Sequence, residues 1–363
     1  MSKYFKMILC VVLAYLSVTQ VYPWGFYAHK KINHIAVYSL PEGMFKFYKT
    51  HLHELTEKAT APDKRRYLIK EEAARHYIDM EDYGDSALYK LPHHLFQIKK
   101  QFTDDSLMKM GMVPWHIQQV CYSLTKAFAD HKQADIIRLS ADLGHYVADA
   151  NVPLHTTKNY NGQLSNQHGI HGFWESRLPE LYANQYDLFT GKALYVNSIA
   201  DFTWQIVLRS HLALDSVLTF EKELSLQCRE DKKYSFEQRG ATTIKVYAKK
   251  YAKAYHQRLA GQVERQMKSA IACTAALWYT CWINAGQPNL DQAILHGTDS
   301  ESEDTLKPIR NNETIRPETH VLSEEMHTCA HQHACCESPT EMRSPKWFTL
   351  LTQSIASFKA MLK

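Results

Sequence analysis

The sequence predicts an all-α protein: a single, mostly helical domain, then a polar linker and a C-terminal amphipathic helix. Three observations predict it. Apolar residues recur at three- and four-residue steps along most of the chain. The alternation that marks a half-buried strand is almost absent. The periodic stretch Val263 to Ala285 ends at Gly286 with Pro288 beyond, a good helix stop.

The first 23 residues read as a secretory leader. Lys3 and Lys6 form a basic start, and Met7 to Leu16 is an apolar run too short for a confident membrane span. Cys10 lacks the small residues expected before a lipid-modified cysteine. The expected location is secreted or periplasmic. Export permits disulfides. Beyond the leader stand Cys121, Cys228, Cys273, Cys281, Cys329, Cys335 and Cys336, an odd number, so at least one is free or metal-bound.

Helical stripes follow in order. Ile117, Val120, Cys121, Leu124 and Phe128 share one face, as do Ile136, Leu139, Leu143 and Val147. Ala193 to Leu226, Phe236 to Leu259 and Val263 to Ala285 read as long helices. Cys273 and Cys281, eight apart on one such helix, sit about 12 Å apart along its axis, too far to bridge. The domain is expected to span 24–297. Residues 298–345 are polar, rich in Glu, Ser, Thr and Pro, and read as a low-complexity linker. Over 346–363, Trp347, Leu350, Leu351, Ile355, Phe358 and Leu362 fall at helical spacing. That helix is expected to dock on the domain or to contact a membrane surface or a partner.

With 363 residues and 45% apolar content, the chain can build a sizeable core. Setting the two leader lysines aside, 40 basic residues stand against 38 acidic ones. That balance argues against a strong electrostatic grip on nucleic acid, though not against a substrate held through metals. The 20 histidines direct attention to clusters.

The segment LGHYVADANVPLHTT carries the densest cluster. His145 and Asp149 lie four apart on one helix face, and Pro153 lets the chain leave the helix so that His155 folds back. In HGFWE, His171 and Glu175 are again four apart. Upstream lie Asp63 in APDKRR, His76 and Asp79 in RHYID, and Trp24 and His29 in WGFYAH. Zinc takes imidazole and carboxylate at about 2.0–2.2 Å, and a hydrolytic site keeps one position open for water. A single His/acid pair is usually a solvated helix pair; two pairs and a returning histidine weigh against that reading without removing it. The HExxH protease pattern is absent.

The ordered set Trp24, His29, Asp63, His76, His145, Asp149, His155, His171 and Glu175 resembles the trinuclear zinc signature of the zinc-dependent phospholipase C and single-strand nuclease superfamily. By motif the resemblance covers Trp24 to Glu175, with helices to about Pro288 completing the domain. It implies three ions. Asp63, His76 and His145 would hold one, and Asp149 would bridge it to another. His155, His171 and Glu175 would hold a second, the most exposed to water. The third would take His29, Asp149 and the amine and carbonyl of Trp24. An α-amine of pKa about 7.7–8.0 can yield its proton to a metal. That chelate requires a cut before Trp24, where Pro23 occupies a position usually given to a small residue.

The implied chemistry is phosphodiester hydrolysis, a shared water attacking phosphorus between two zincs about 3.5–4 Å apart. Asp63 would orient that water or accept its proton, besides binding metal. For the substrate two branches stand. The Trp24-to-His29 step resembles the nuclease branch, and Glu175 in place of aspartate resembles the phospholipase branch. Tyr77 can stack a nucleobase and Asp79 can hydrogen-bond its edge, or Tyr77 packs beside the metal helix. The expectation is a single-strand nuclease-like hydrolase, with phospholipase C as the alternative. A non-catalytic zinc protein is the second alternative, against which stands the three-ligand His155/His171/Glu175 set, since structural sites are normally closed by four. The tail HTCAHQHACCE is read as a disordered or disulfide-linked segment, or as a further metal site. His93, His94 and His116 are assigned no chemistry, and no protein partner is inferred.

Overall fold

The computed structural model describes residues 26–84, 86–240 and 242–290. The leader, Trp24, the 298–345 segment with its Cys/His-rich stretch, and 346–363 lie outside them. Among the described residues the chain is mostly helical. Six helices have ten residues or more: α1 (Phe26–Ala36), α2 (Val113–Ala129), α3 (Gln133–Ala150), α4 (Ile199–Leu226), α5 (Lys249–Arg258) and α6 (Gln262–Asn284). Shorter helical turns join them. None of the described helices is long and apolar enough to cross a membrane.

The stripes predicted for α2 and α3 face the core. Ile117, Val120, Cys121, Leu124 and Phe128 are all buried, as are Ile136, Leu143 and Val147. From Ser140 to Ala150 every residue of α3 is buried, because this half is packed on several sides by α1, α2 and α6. Polar groups there are satisfied internally: the Trp278 indole donates to the Ser140 carbonyl at 2.9 Å, and Tyr48 and Ser140 share a hydroxyl hydrogen bond at 2.8 Å. Gly144 allows α1 and α3 to approach closely. A Cβ there would meet Asn33 Oδ1 of α1 at 1.8 Å. This contact draws α1, and with it His29, against the helix that carries His145 and Asp149.

The predicted stretch Phe236 to Leu259 is corrected by the structure. Only Lys249–Arg258 is helical. Before it stands an antiparallel hairpin, β1 (Tyr234–Arg239) paired with β2 (Thr242–Tyr247), with Phe236 opposite Lys245. Aromatic and β-branched residues dominate it (Tyr234, Phe236, Thr242, Thr243, Ile244, Val246, Tyr247), and these favour a pleated surface. Gly240 supplies the positive φ of 55° that the tight turn needs. Tertiary contacts fix the hairpin: Arg177 donates to Glu237 at 3.0 Å, and Lys233 pairs with buried Glu221 at 2.9 Å. The helix predicted from Ala193, α4, starts later than predicted, at Ile199. Ser198 caps it, accepting from the Asp201 amide at 3.2 Å, while Val196 is tied by its amide to Thr280 Oγ1 at 2.9 Å. The last helix ends as predicted, with Gly286 at φ 85°.

Cys121, Cys273 and Cys281 are free thiols, all three buried. Cys273 and Cys281 form no bridge, as their spacing predicts.

Candidate metal centre

The centre forms at the C-terminal end of α3. His145 and Asp149 leave one face of that helix, which stops at Ala150. The turn Pro153–Thr156 then returns His155 to the same interior point, with both Pro153 and His155 buried. His171 and Glu175 come from a distorted helix. Pro179 has no N–H for the Glu175 carbonyl and crowds it, so a regular α-turn is not available. The chain widens to a π-turn over Phe173–Arg177, closed by the Leu178 amide on the Phe173 carbonyl. Asp63 lies in the short helix Ala61–Arg65, and His76 follows a 3-10 turn over Lys70–Arg75.

Three groups of ligand-type side chains converge: Asp63, His76 and His145; His155, His171 and Glu175; and His29, His145 and Asp149. In the first, His145 Nε2 lies 3.5 Å from Asp63 Oδ1 and 3.1 Å from His76 Nδ1. In the second, Glu175 Oε2 lies 2.6 Å from His171 Nε2 and 3.3 Å from His155 Nε2. Asp149 reaches two groups at once. Its Oδ2 faces His76 Nδ1 at 2.9 Å and His145 Nε2 at 3.2 Å, while its Oδ1 faces His29 Nε2 at 3.5 Å.

Hydrogen bonds to the main chain orient the donor set. His145 Nδ1 donates to the Ala59 carbonyl at 2.8 Å, and His155 Nδ1 donates to the His76 carbonyl at 2.6 Å. In the neutral imidazole each Nε2 then turns a lone pair inward. Those lone pairs meet other imidazole nitrogens and carboxylate oxygens, an arrangement that repels itself unless a proton or a metal ion sits among them. Two atoms each about 2.1 Å from a tetrahedral ion lie about 3.4 Å apart. The observed 3.1–3.5 Å spacings around His145 match that. By spacing the Asp63/His76/His145 group suits a metal ion of the nitrogen- and oxygen-binding kind, and the other two groups offer the same donor types.

One imidazole lone pair serves one ion. His145 appears in two groups, and its outward nitrogen is committed to Ala59. If Asp63 and His76 share its Nε2, the third position draws His29 and Asp149 from the described residues. His29 Nε2 also lies 3.3 Å from Glu175 Oε1, and its buried Nδ1 has no hydrogen-bond partner. Trp24, the remaining ligand implied there, lies outside the described residues.

Electrostatics follow from this crowding. Burial alone lowers the His145 pKa, but the Asp149 and Asp63 carboxylates outweigh it and push it up to about 9. Burial raises the Asp149 and Glu175 carboxyls, yet the facing histidines hold both well below the usual carboxylate range.

Exposure differs from expectation at one point. The His155/His171/Glu175 group was expected to be the wettest, but its side chains are 3%, 4% and 9% exposed, while Asp63 is 19% exposed. The π-turn carrying Glu175 is packed inside the fold, whereas the short Asp63 helix lies near the surface. Tyr77 is buried with its hydroxyl donating to the Lys109 carbonyl at 3.2 Å, and Asp79 is buried with its amide donating to the Met110 carbonyl at 2.7 Å. Neither presents an open face to solvent in this arrangement. His116, assigned no chemistry, packs edge-on against Tyr146 at 4.5 Å. His93 pairs with Asp201 at 2.7 Å, away from the centre.

Sequence reasoning missed one layer. Glu72, fully buried, accepts from Arg75 Nη1 at 2.6 Å, from Arg65 Nη2 at 3.4 Å and from the Tyr146 hydroxyl. Arg65 in turn grips both oxygens of Asp142, at 3.1 and 2.9 Å. The available signal was the four-residue step from Glu72 to His76.

No family model matches the chain, and no curated protein matches it. Among the described residues, the fold and centre define a mostly helical protein with three groups of largely buried side chains able to hold metal ions.

Proposed function

We propose that this protein is an exported, zinc-dependent phosphodiesterase of the superfamily its ligand order resembles, hydrolysing P–O ester bonds, with a single-stranded nucleic acid as the first substrate and a phospholipid head group as the alternative. The observation that carries the reading is Asp149, whose two oxygens face two separate ligand groups. A carboxylate so placed would serve ions held in both groups, and adjacent ions suit phosphoryl transfer better than isolated structural sites.

When bound, zinc supplies Lewis acidity and water activated near neutral pH. The chain's own residues do the rest. Asp63, the most exposed of the described ligands, can orient the attacking water or accept its proton. His145 and His155 are locked by backbone carbonyls, so neither ring must reorganise during turnover. Asp149 holds the spacing between groups. The leader supports export, and the Trp24-to-His29 step favours the nuclease branch. With Tyr77 buried, stacking on that ring is not part of the proposal.

One purified sample tests it, with and without chelator, offered single-stranded DNA, RNA and phosphatidylcholine in parallel. Chelator-sensitive cleavage of nucleic acid supports the first reading, and cleavage of lipid alone reverses the order. Cleavage of none of them after zinc addition favours a non-catalytic zinc protein. Metal content of His145→Ala and His171→Ala, each measured against the parent, tests whether the groups bind separate ions.

A further inference from the structure

We propose that Glu72 is a positioning residue for His76: an anionic, buried partner that keeps the ring's Nε2–H directed away from the centre and its Nδ1 lone pair directed into it. The inference rests on the metal-centre reading above.

His76 differs from its neighbours. His145 and His155 face the centre with Nε2 and anchor Nδ1 on backbone carbonyls. His76 does the reverse: Nδ1 is the inward atom, 2.9 Å from Asp149 Oδ2 and 3.1 Å from His145 Nε2. Its outward Nε2 is buried and has no hydrogen-bond partner. The acceptor it faces is Glu72 Oε1, at 3.7 Å. A neutral imidazole carries its proton on one nitrogen only. With the proton on Nδ1, His76 would donate to Asp149 and have no lone pair for a metal. A negative charge beside Nε2 favours the other tautomer.

Glu72 is built for that task. Arg75 and Arg65 keep it anionic, and the Tyr146 hydroxyl fixes one oxygen. Arg65 is itself held by Asp142, and Asp142 and Tyr146 both belong to α3, the helix that carries His145 and Asp149. The support therefore comes from the same rigid element as the ligands. A histidine oriented by a carboxylate is also a more basic ligand, and loss of such a partner typically weakens metal binding 10- to 100-fold. The 3.7 Å gap is expected to close to hydrogen-bond length when a cation draws the ring inward.

The test titrates zinc against a chromophoric chelator in the full chain, the parent beside Glu72→Gln and Glu72→Ala. Glu72→Gln keeps the shape and an acceptor oxygen but removes the charge. The expected result is a loss of about 10- to 100-fold in the affinity of one ion in Glu72→Ala, a smaller loss in Glu72→Gln, and unchanged affinity for the others. In ¹⁵N spectra of the zinc-loaded parent, His76 is expected to show a protected Nε2–H, which Glu72→Ala exposes to exchange. A residue that only supported the fold would leave that signal in place. A parent that binds no zinc defeats the metal-centre reading itself. A parent that binds zinc while both variants match it within about twofold overturns the role of Glu72 alone. A Glu72→Gln protein that fails to fold by circular dichroism assigns Glu72 to the fold and also overturns it.

Discussion

His155 donates its Nδ1–H to the backbone carbonyl of His76 at 2.6 Å, so a ligand of one metal group is oriented by the main chain of a ligand in another. Side-chain and main-chain roles of His76 are thereby separable. His76→Ala is expected to lose the ion that its ring would share with Asp63 and His145. The carbonyl under His155 remains, so the His155/His171/Glu175 ion should be kept. Metal analysis by plasma mass spectrometry checks this: a variant retaining the parent's full zinc content, or losing all of it, contradicts the arrangement.

Metal binding should release protons. With the Asp149 and Asp63 carboxylates beside it, His145 in the metal-free protein holds its proton up to about pH 9. A metal must displace that proton at neutral pH. Zinc affinity is therefore expected to rise with pH through the neutral range and to lose this dependence above about 9. Calorimetry at pH 7 in Tris and in HEPES, whose ionisation heats differ, measures it. Apparent enthalpies that agree between the buffers would contradict the assignment.

Gly144→Ala should press α1 and α3 apart. The added Cβ would fall 1.8 Å from Asn33 Oδ1, and Asn33 is held in place by its own donation to the Ala141 carbonyl at 3.0 Å. Overpacking of this kind costs about 1–3 kcal/mol. Urea denaturation of chelator-treated protein reads the loss. In the double variant with Asn33→Ala the loss is expected to be smaller than the sum of the singles, because the clash disappears with the side chain. Strict additivity would show that the contact is not the cause.

His116 should contribute to acid instability. Burial, aided by the Arg75 charge, lowers its pKa to about 3, against about 6.5 in the unfolded chain. The unfolded state then binds a proton that the folded state refuses. The stability associated with the neutral ring is present above about pH 6.5 and is lost progressively as pH falls from there towards 3. Between pH 7 and 5 the loss amounts to at most about 2 kcal/mol. His116→Gln removes this contribution, so its midpoint should fall less between those pH values than the parent's. Equal falls would refute the effect.

Some of this molecule is written in local spacing, and some is not. His145 with Asp149 and His171 with Glu175 were legible as pairs because residues four apart on a helix share a face. Pro153 was legible as the point where the chain leaves α3. The hairpin at Tyr234–Tyr247 was not, because its alternation, Tyr234 and Phe236 in one strand and Ile244 and Val246 in the other, is too short to stand out from the helical spacing that follows. Its pairing is instead fixed by partners far along the chain, Arg177 on Glu237 and Lys233 on Glu221. The wider turn at Phe173–Arg177 likewise depends on how Pro179 disturbs a helix already packed in place.

By itself the sequence determined that the protein is mostly helical and which side chains are of a type and spacing to hold metal, because helix periodicity and ligand chemistry are properties of neighbouring residues. Only the tertiary structure decided that Asp149 turns one oxygen to His76 and the other to His29, that backbone carbonyls choose the inward nitrogen of His145 and His155, and that Glu72 stands behind His76. Those are relations between segments distant in the chain, set by the packing of α1, α3 and the turns around them, and no local pattern encodes the direction in which a side chain meets a partner it reaches only after folding.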